Sequence, residues 1–167
     1  MNIIKAWYHI WAIIKRFFFR IIYREKIKIG KNTTWRRNFS VMLGDRAELQ
    51  IGKDCFFNNQ CTIGANGSVI IGDGSIFGEN VKIYDHNHRF SNIEKSIKSQ
   101  GYSNGKIRIG KHCWIGSNVC ILKNADIGNN CVIGAGCVIS EKIEDNTIVK
   151  RDNQYIVEVL DFVVEDR

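Results

Sequence analysis

The sequence predicts an all-β protein: a coil of short strands with one N-terminal amphipathic helix and one extended loop. Three observations predict it. Isoleucine recurs at 109, 115, 121, 127, 133 and 139, a strict six-residue spacing. Fifteen glycines and no proline leave glycine and asparagine to make the turns. The spacing is broken for longest over "YDHNHRFSNIEKSIKSQGYSNGK". A period of six fits neither an amphipathic helix nor a long strand, but it fits a short strand followed by a turn.

Residues 1–26, "MNIIKAWYHIWAIIKRFFFRIIYREK", form the helix. Ile3, Trp7, Ile10, Ile14, Phe17 and Ile21 make one stripe, Ile4, Tyr8, Trp11, Phe18 and Ile22 flank it, and Lys5, His9, Arg16 and Arg20 fall opposite. The longest run without Lys or Arg, residues 6–14, is too short to span a bilayer, and no small-residue cleavage site marks a signal peptide. Two readings stay open. A basic helix with Trp and Phe on its apolar face suits an anionic membrane surface, and equally a cap on the open end of a coil. The surplus of aromatics and the absence of any acid before Glu25 favour the membrane, and so a cytoplasmic protein held peripherally on the inner face of the plasma membrane.

The formal charge of +7 belongs to this end. Residues 1–37 hold ten Lys and Arg against Glu25 alone, a net +9, whereas residues 38–167 carry a net −2. No nucleic-acid module fits such a distribution, so nucleic acid is not an expected partner.

The coil occupies residues 27–150, with forerunner hexads IGKNTT at 29, IGKDCF at 51, FNNQCT at 57 and IGANGS at 63, then, after a two-residue slip, IGDGSI at 71 and FGENVK at 77. The aliphatic residue points into a narrow core, glycine or asparagine permits positive φ at the corner, and the fifth position must be small. Cys55, Cys61, Cys113, Cys131 and Cys137 fill that slot and read as buried thiols. No CxxC pair supports zinc, and no secretory signal supports disulfides. Cys120 lies off the slot and is expected to be partly exposed.

Residues 84–106 form the loop, and a long loop inside a repeat fold is usually functional. It presents His86 and His88, and histidine is the side chain best suited to take a proton from a hydroxyl near neutral pH. Residues 151–167 are read as a C-terminal extension.

The [LIV]-G-x-x-[STAVC]-x hexads resemble the hexapeptide-repeat acyltransferases over roughly residues 27–150. The resemblance implies a left-handed parallel β-helix with triangular coils of about 18 residues, spaced about 4.8 Å apart. Cys113 would then lie under Cys131 and Val119 under Cys137. It also implies a homotrimer whose loops help enclose active sites between subunits, with acetyl-CoA as acyl donor and no metal. The acceptor would be a sugar hydroxyl of a capsule, lipopolysaccharide or lipid-linked glycan.

The site residues follow from local matches. The frame from Ile83 and Tyr84 to His88 resembles the galactoside and maltose acetyltransferases, and Asn87-His88-Arg89-Phe90 resembles the antibiotic-modifying branch. Both place the catalytic base on His88. His86 would contact the acceptor or orient the loop, and Asp85 could fix an imidazole tautomer. Asn58, thirty residues before His88, matches a site asparagine, although an asparagine there is also an ordinary turn residue. "CWIGSN" matches the family's W-I-G-[SGA] element, which implies that Trp114 and Gly116 would line the pantetheine passage and that the Ser117 N–H would resemble an oxyanion donor. Ala135 matches the backbone site that grips the pantetheine arm. Lys142, Lys150 and Arg151 are the candidates for the coenzyme's phosphates.

The sequence also departs from the family. The usual T-K-D reads Ser140-Glu141-Lys142, and the A-G-N-P loop is absent, which puts the adenine end of the site in doubt. Two other readings compete. A noncatalytic binding or scaffold β-helix fits the missing loop. A γ-class carbonic anhydrase could draw on His86, His88 and His112, but that family's paired histidines five residues apart have no counterpart, since Ser117 stands five beyond His112.

Overall fold

In the computed structural model, which describes residues 3–151, the chain winds as a three-sided parallel β-helix behind one N-terminal helix, Ile3–Tyr23. Of the C-terminal extension read from the sequence, all but Arg151 lies outside the described residues. The first face stacks Ile27–Ile29, Glu48–Ile51, Ser68–Ile71, Lys106–Ile109, Asp126–Ile127 and Lys142–Ile143. The second stacks Thr34–Trp35, Phe56–Phe57, Ile76–Phe77, Trp114–Ile115, Val132–Ile133 and Ile148–Val149. The third stacks Ser40–Leu43, Thr62–Ala65, Lys82–Tyr84, Cys120–Ile121 and Val138–Ile139. Trp114 pairs in register with Val132 and Cys120 with Val138, which sets Cys113 against Cys131 and Val119 against Cys137 as expected.

Two hexad positions divide the work of turning. The fourth residue takes positive φ, from 54° to 74°, and it is usually asparagine: Asn32, Asn38, Asn80, Asn118, Asn124, Asn130 and Asn146. Asparagine tolerates this conformation because its short polar side chain bonds locally. The second-position glycine, expected to serve the same turn, instead permits close approach. A Cβ on Gly110 would stand 2.4 Å from the Gly128 carbonyl oxygen on the next coil.

The small slot also needs a donor. At the corner between the first and second faces, Thr33, Cys55, Ser75, Cys113 and Cys131 each donate to a carbonyl on the next coil, those of Gly52, Gly72, Gly110, Gly128 and Glu144. Burial pushes the thiols of Cys55, Cys61 and Cys113 up, so they remain protonated donors. All six cysteines are free, and Cys120 is half-buried on the third face.

The expected 18-residue coil holds only where Ile109 pairs with Ile127; earlier coils take 22 and 20 residues and the last takes 16. The variation sits at one corner. From the first face to the second, and from the second to the third, inward residues are always six apart, as in Ile109, Ile115 and Ile121. The step from the third face back to the first varies, from Val41 to Ile51, Ile63 to Ile71 and Ile83 to Ile109. The loop 84–106 is the largest of these insertions. Wider coils need larger side chains, so Phe39, Phe57 and Phe77 stack through the early core at centroid distances of 4.8 and 4.3 Å, while isoleucine fills the later coils.

The helix caps the open N-terminal end. Ala12 and Phe19 are buried, Phe19 packs on Trp35 and Phe39, Arg16 donates to the Thr33 carbonyl at 2.6 Å, and Tyr23 donates to the Val41 carbonyl at 2.8 Å. The stripe of Trp7, Ile10, Ile14, Phe17 and Ile21 points outward, and Arg16, opposite that stripe, turns toward the coil to satisfy a terminal carbonyl.

Candidate active site

The loop leaves the third face at Tyr84 and returns at Lys106, closing on itself as an antiparallel hairpin of His86–His88 with Tyr102–Asn104. Asp85 anchors its root. Its carboxylate is fully buried and accepts from the Asn66 N–H at 2.8 Å, the Gly67 N–H at 2.8 Å and His86 Nδ1 at 3.0 Å. The backbone N–H of Gly105 donates to the Asp85 carbonyl at 2.7 Å, so one residue ties both ends of the loop to the coil before it. With Nδ1 donating to Asp85, the His86 Nε2 lone pair is left as the basic atom. His88 lies two residues further out, exposed, with its ring 4.5 Å from that of Tyr102. A cleft of about 440 Å³ opens at the hairpin root between Asp45, Arg46, Asn66, Tyr102 and Asn104. Three insertions at the variable corner build it, and their polar side chains with one aromatic ring suit a hydroxylated ligand.

The remaining candidates line a different edge, where the second face turns to the third. Asn58 lies along it on the second coil, and the fourth, fifth and sixth coils add Ser117, Ala135 and then Lys150 and Arg151, with Trp114 just before the turn on the outer second face. Asn58 Oδ1 is occupied, accepting from Arg36 Nη1 at 3.2 Å and from the Asn59 N–H at 2.9 Å, which leaves its amide hydrogens as what it can offer.

On this edge the third residue of two hexads caps a backbone N–H of the coil before it. Asn59 Oδ1 accepts from the Arg37 N–H, and Ser117 Oγ accepts from the Glu79 N–H at 3.1 Å. The next such position is Ala135, which has no acceptor atom. Among the described residues the Ser117 and Ala135 N–H groups therefore meet no acceptor, and they lie one coil apart. A pair of unpaired backbone donors at a surface turn, with Ala135 exposed and Ser117 partly so, is suited to an anionic or carbonyl oxygen. The signal was present in the sequence, as an alanine where the second and fourth coils carry Asn59 and Ser117, whose side chains accept.

Lys142 does not join this edge. It lies on the first face, paired with Glu144 at 2.7 Å, and that carboxylate holds its pKa above the usual lysine range. Gly116 is buried at the turn, where a Cβ would meet the Ala135 nitrogen at 2.6 Å. His112 occupies the corner between the first and second faces, so it does not converge with His86 and His88 in one chain. His88 and Ser117 also stand at different corners of the chain, separated by the width of the third face.

Comparison with known proteins agrees with the repeat. Residues 106–141 match the bacterial transferase hexapeptide (six repeats) family. A probable acetyltransferase of Mycobacterium tuberculosis is 34% identical over 123 residues, 73% of this chain and 38% of that protein. The chain thus spans less than two fifths of that relative's length. A maltose O-acetyltransferase of Clostridium difficile is 28% identical with a TM-score of 0.62, covering 77% of this chain and 67% of that one. A hexapeptide-repeat acetyltransferase of Vibrio cholerae, solved with acetyl coenzyme A, shares the fold at 22% identity and a TM-score of 0.63, covering 72% of this chain and 63% of that one. Residues 106–141 of the coil thus match the transferase hexapeptide repeat, and the chain resembles the hexapeptide-repeat acetyltransferases.

Proposed function

We propose that the protein is an acetyl-CoA-dependent O-acetyltransferase acting on a sugar hydroxyl of a cell-surface glycan or its lipid-linked precursor. The observation that carries this reading is the pair of uncapped N–H groups at Ser117 and Ala135. The acceptor hydroxyl gives its proton to His88, its oxygen attacks the thioester carbonyl carbon, and the oxyanion formed accepts from the Ser117 N–H. The C–S bond then breaks, and the departing thiolate takes the proton from His88. Trp114 and the Ala135 N–H hold the pantetheine arm, with Lys150 and Arg151 further along the edge for the phosphates. Asn58 holds the acceptor through its amide hydrogens.

Since His88 and the Ser117 edge lie at different corners, the site is completed between chains of a homotrimer. In support, the outer second face carries a ladder of Phe56, Ile76, Trp114, Val132 and Ile148, of which Ile76, Trp114 and Ile148 are exposed, an apolar strip that a neighbouring chain would cover. One specific observation favours a second choice of base: the Asp85–His86 pair is arranged as a carboxylate-oriented imidazole.

Acetyl-CoA turnover against a panel of sugar acceptors tests the activity. Absence of any acceptor-dependent thiol release would leave a binding or scaffold protein. A sharper check is Ala135→Asn, which supplies the missing acceptor to the Ser117 N–H as Asn129 does for Lys111 at 2.9 Å. It is expected to lower kcat by about 10²- to 10³-fold, as loss of an oxyanion donor does, while the melting temperature stays unchanged or rises.

A further inference from the structure

The helix is larger than its capping task requires. Among the described residues of the helix only Ala12 and Phe19 are buried, while nine large apolar side chains, from Trp7 to Ile22, remain 40% or more exposed. Behind them, between the helix and the first coil, lies a cavity of about 270 Å³. Trp7, Tyr8, Trp11 and Lys15 line it from the helix, and Arg36 and Arg37 from the coil. Lys15 donates to the Phe39 carbonyl, Arg36 lies over the Phe56 ring, and Arg37 lies over the Tyr8 ring. Among the described residues none of the three cations pairs with a carboxylate.

We propose that this end of the molecule docks on an anionic lipid bilayer, the exposed helix face entering the interface and the cavity taking a lipid phosphate between Lys15, Arg36 and Arg37. Charge decides the occupant. A second copy of the chain would bring another set of cations to the same surface, whereas anionic headgroups neutralise it. The aromatic rings around the cavity suit the headgroup level, where one side is apolar and the other wet. No helix among the described residues is long and apolar enough to cross a membrane, so the helix lies in the interface. Because it closes the N-terminal end of the stack, the coils rise away from the bilayer, and the His88 hairpin leaves the third coil about 10 Å above the first. The cavity also opens on the edge that carries Asn58, to which Arg36 is hydrogen-bonded. A lipid-anchored acceptor seated by its phosphate would therefore lie along the acyl-transfer edge, a consequence that rests on the acetyltransferase reading.

Flotation of the full chain tests the docking, with vesicles of phosphatidylcholine alone and of phosphatidylcholine with about one third phosphatidylglycerol. The expected result is binding to the anionic vesicles alone, weakening as salt rises. Arg36→Gln with Arg37→Gln should lower the partition coefficient by about 25-fold, roughly fivefold per charge. Ile13→Asn with Phe17→Asn, both exposed and outside the packed face, should abolish binding while the circular dichroism melt stays that of the wild type. Equal binding to both vesicles, no binding to either, or binding unchanged in the second variant overturns the proposal. So does a larger oligomer that Ile13→Asn with Phe17→Asn dissolves while no vesicles are bound. A His88→Ala chain that still binds vesicles separates docking from acyl transfer.

Discussion

Replacing His88 with alanine is expected to lower kcat for acetyl transfer by about 10²- to 10⁴-fold, the contribution of a positioned general base, with KM for acetyl-CoA little changed. The side chain is exposed, so the melting temperature should stay near that of the wild type. His86→Ala and Asp85→Asn supply the contrast. Both disturb the hairpin root and should cost activity together with stability, since Asp85 accepts the Asn66 and Gly67 N–H groups from inside the fold. A steady-state assay beside a thermal melt separates the two patterns. If His86→Ala carries the larger loss of kcat without a stability cost, the Asp85-oriented imidazole is the base and His88 only borders the site.

Phe57→Ala is expected to cost about 3–5 kcal/mol of stability, measured from the urea midpoint and slope. Phe57 is fully buried, 4.8 Å from Phe39 and 4.3 Å from Phe77 between ring centroids, at the centre of the wide coils. Truncation removes two aromatic contacts and leaves a void that rigid neighbouring coils cannot close. The equivalent position in the narrow coils, Ile115, has no room for a phenyl ring, so Ile115→Phe should also destabilise, here by overpacking, about 1–3 kcal/mol.

The coil was legible because a strict repeat constrains it twice. The inward isoleucine and the fourth-position asparagine recur together, and each answers one physical demand, core filling and positive φ. The small fifth position was legible as small but not as a donor, because cysteine satisfies both descriptions; only the carbonyl across the coil separates them. Coil widths were partly visible in the two-residue slip after Ile63, whose place at the third-to-first corner needed the register. The helix was legible as amphipathic, but which of its faces meets the coil was not. Capping a polar strand end calls for Arg16 and Tyr23 to meet carbonyls, and hydrophobicity alone does not report that demand.

The candidate site was legible residue by residue and not as an assembly. His88, Asn58, Ser117 and Ala135 were each named from local matches, but sequence spacing does not say which corner of a triangle a residue occupies. The register puts His88 at one corner and Ser117 with Ala135 at another, and it moves Lys142 to the first face beside Glu144. The unpaired Ser117 N–H is a property of two coils together, so it becomes visible only when Ala135 is known to stand next to it.

The central claim is a site shared between chains, and mixed trimers test it most directly. His88→Ala chains and Ala135→Trp chains, the latter blocking the edge with a bulky group at an exposed position, are co-expressed with different tags, and trimers carrying both tags are purified. In either two-to-one composition, one site per ring joins an intact His88 to an intact Ser117 edge. Each homotrimer should be inactive, and the mixed trimers should recover about one third of the wild-type rate. Mixed trimers no more active than the parent variants would contradict a site built from the loop of one chain and the edge of its neighbour.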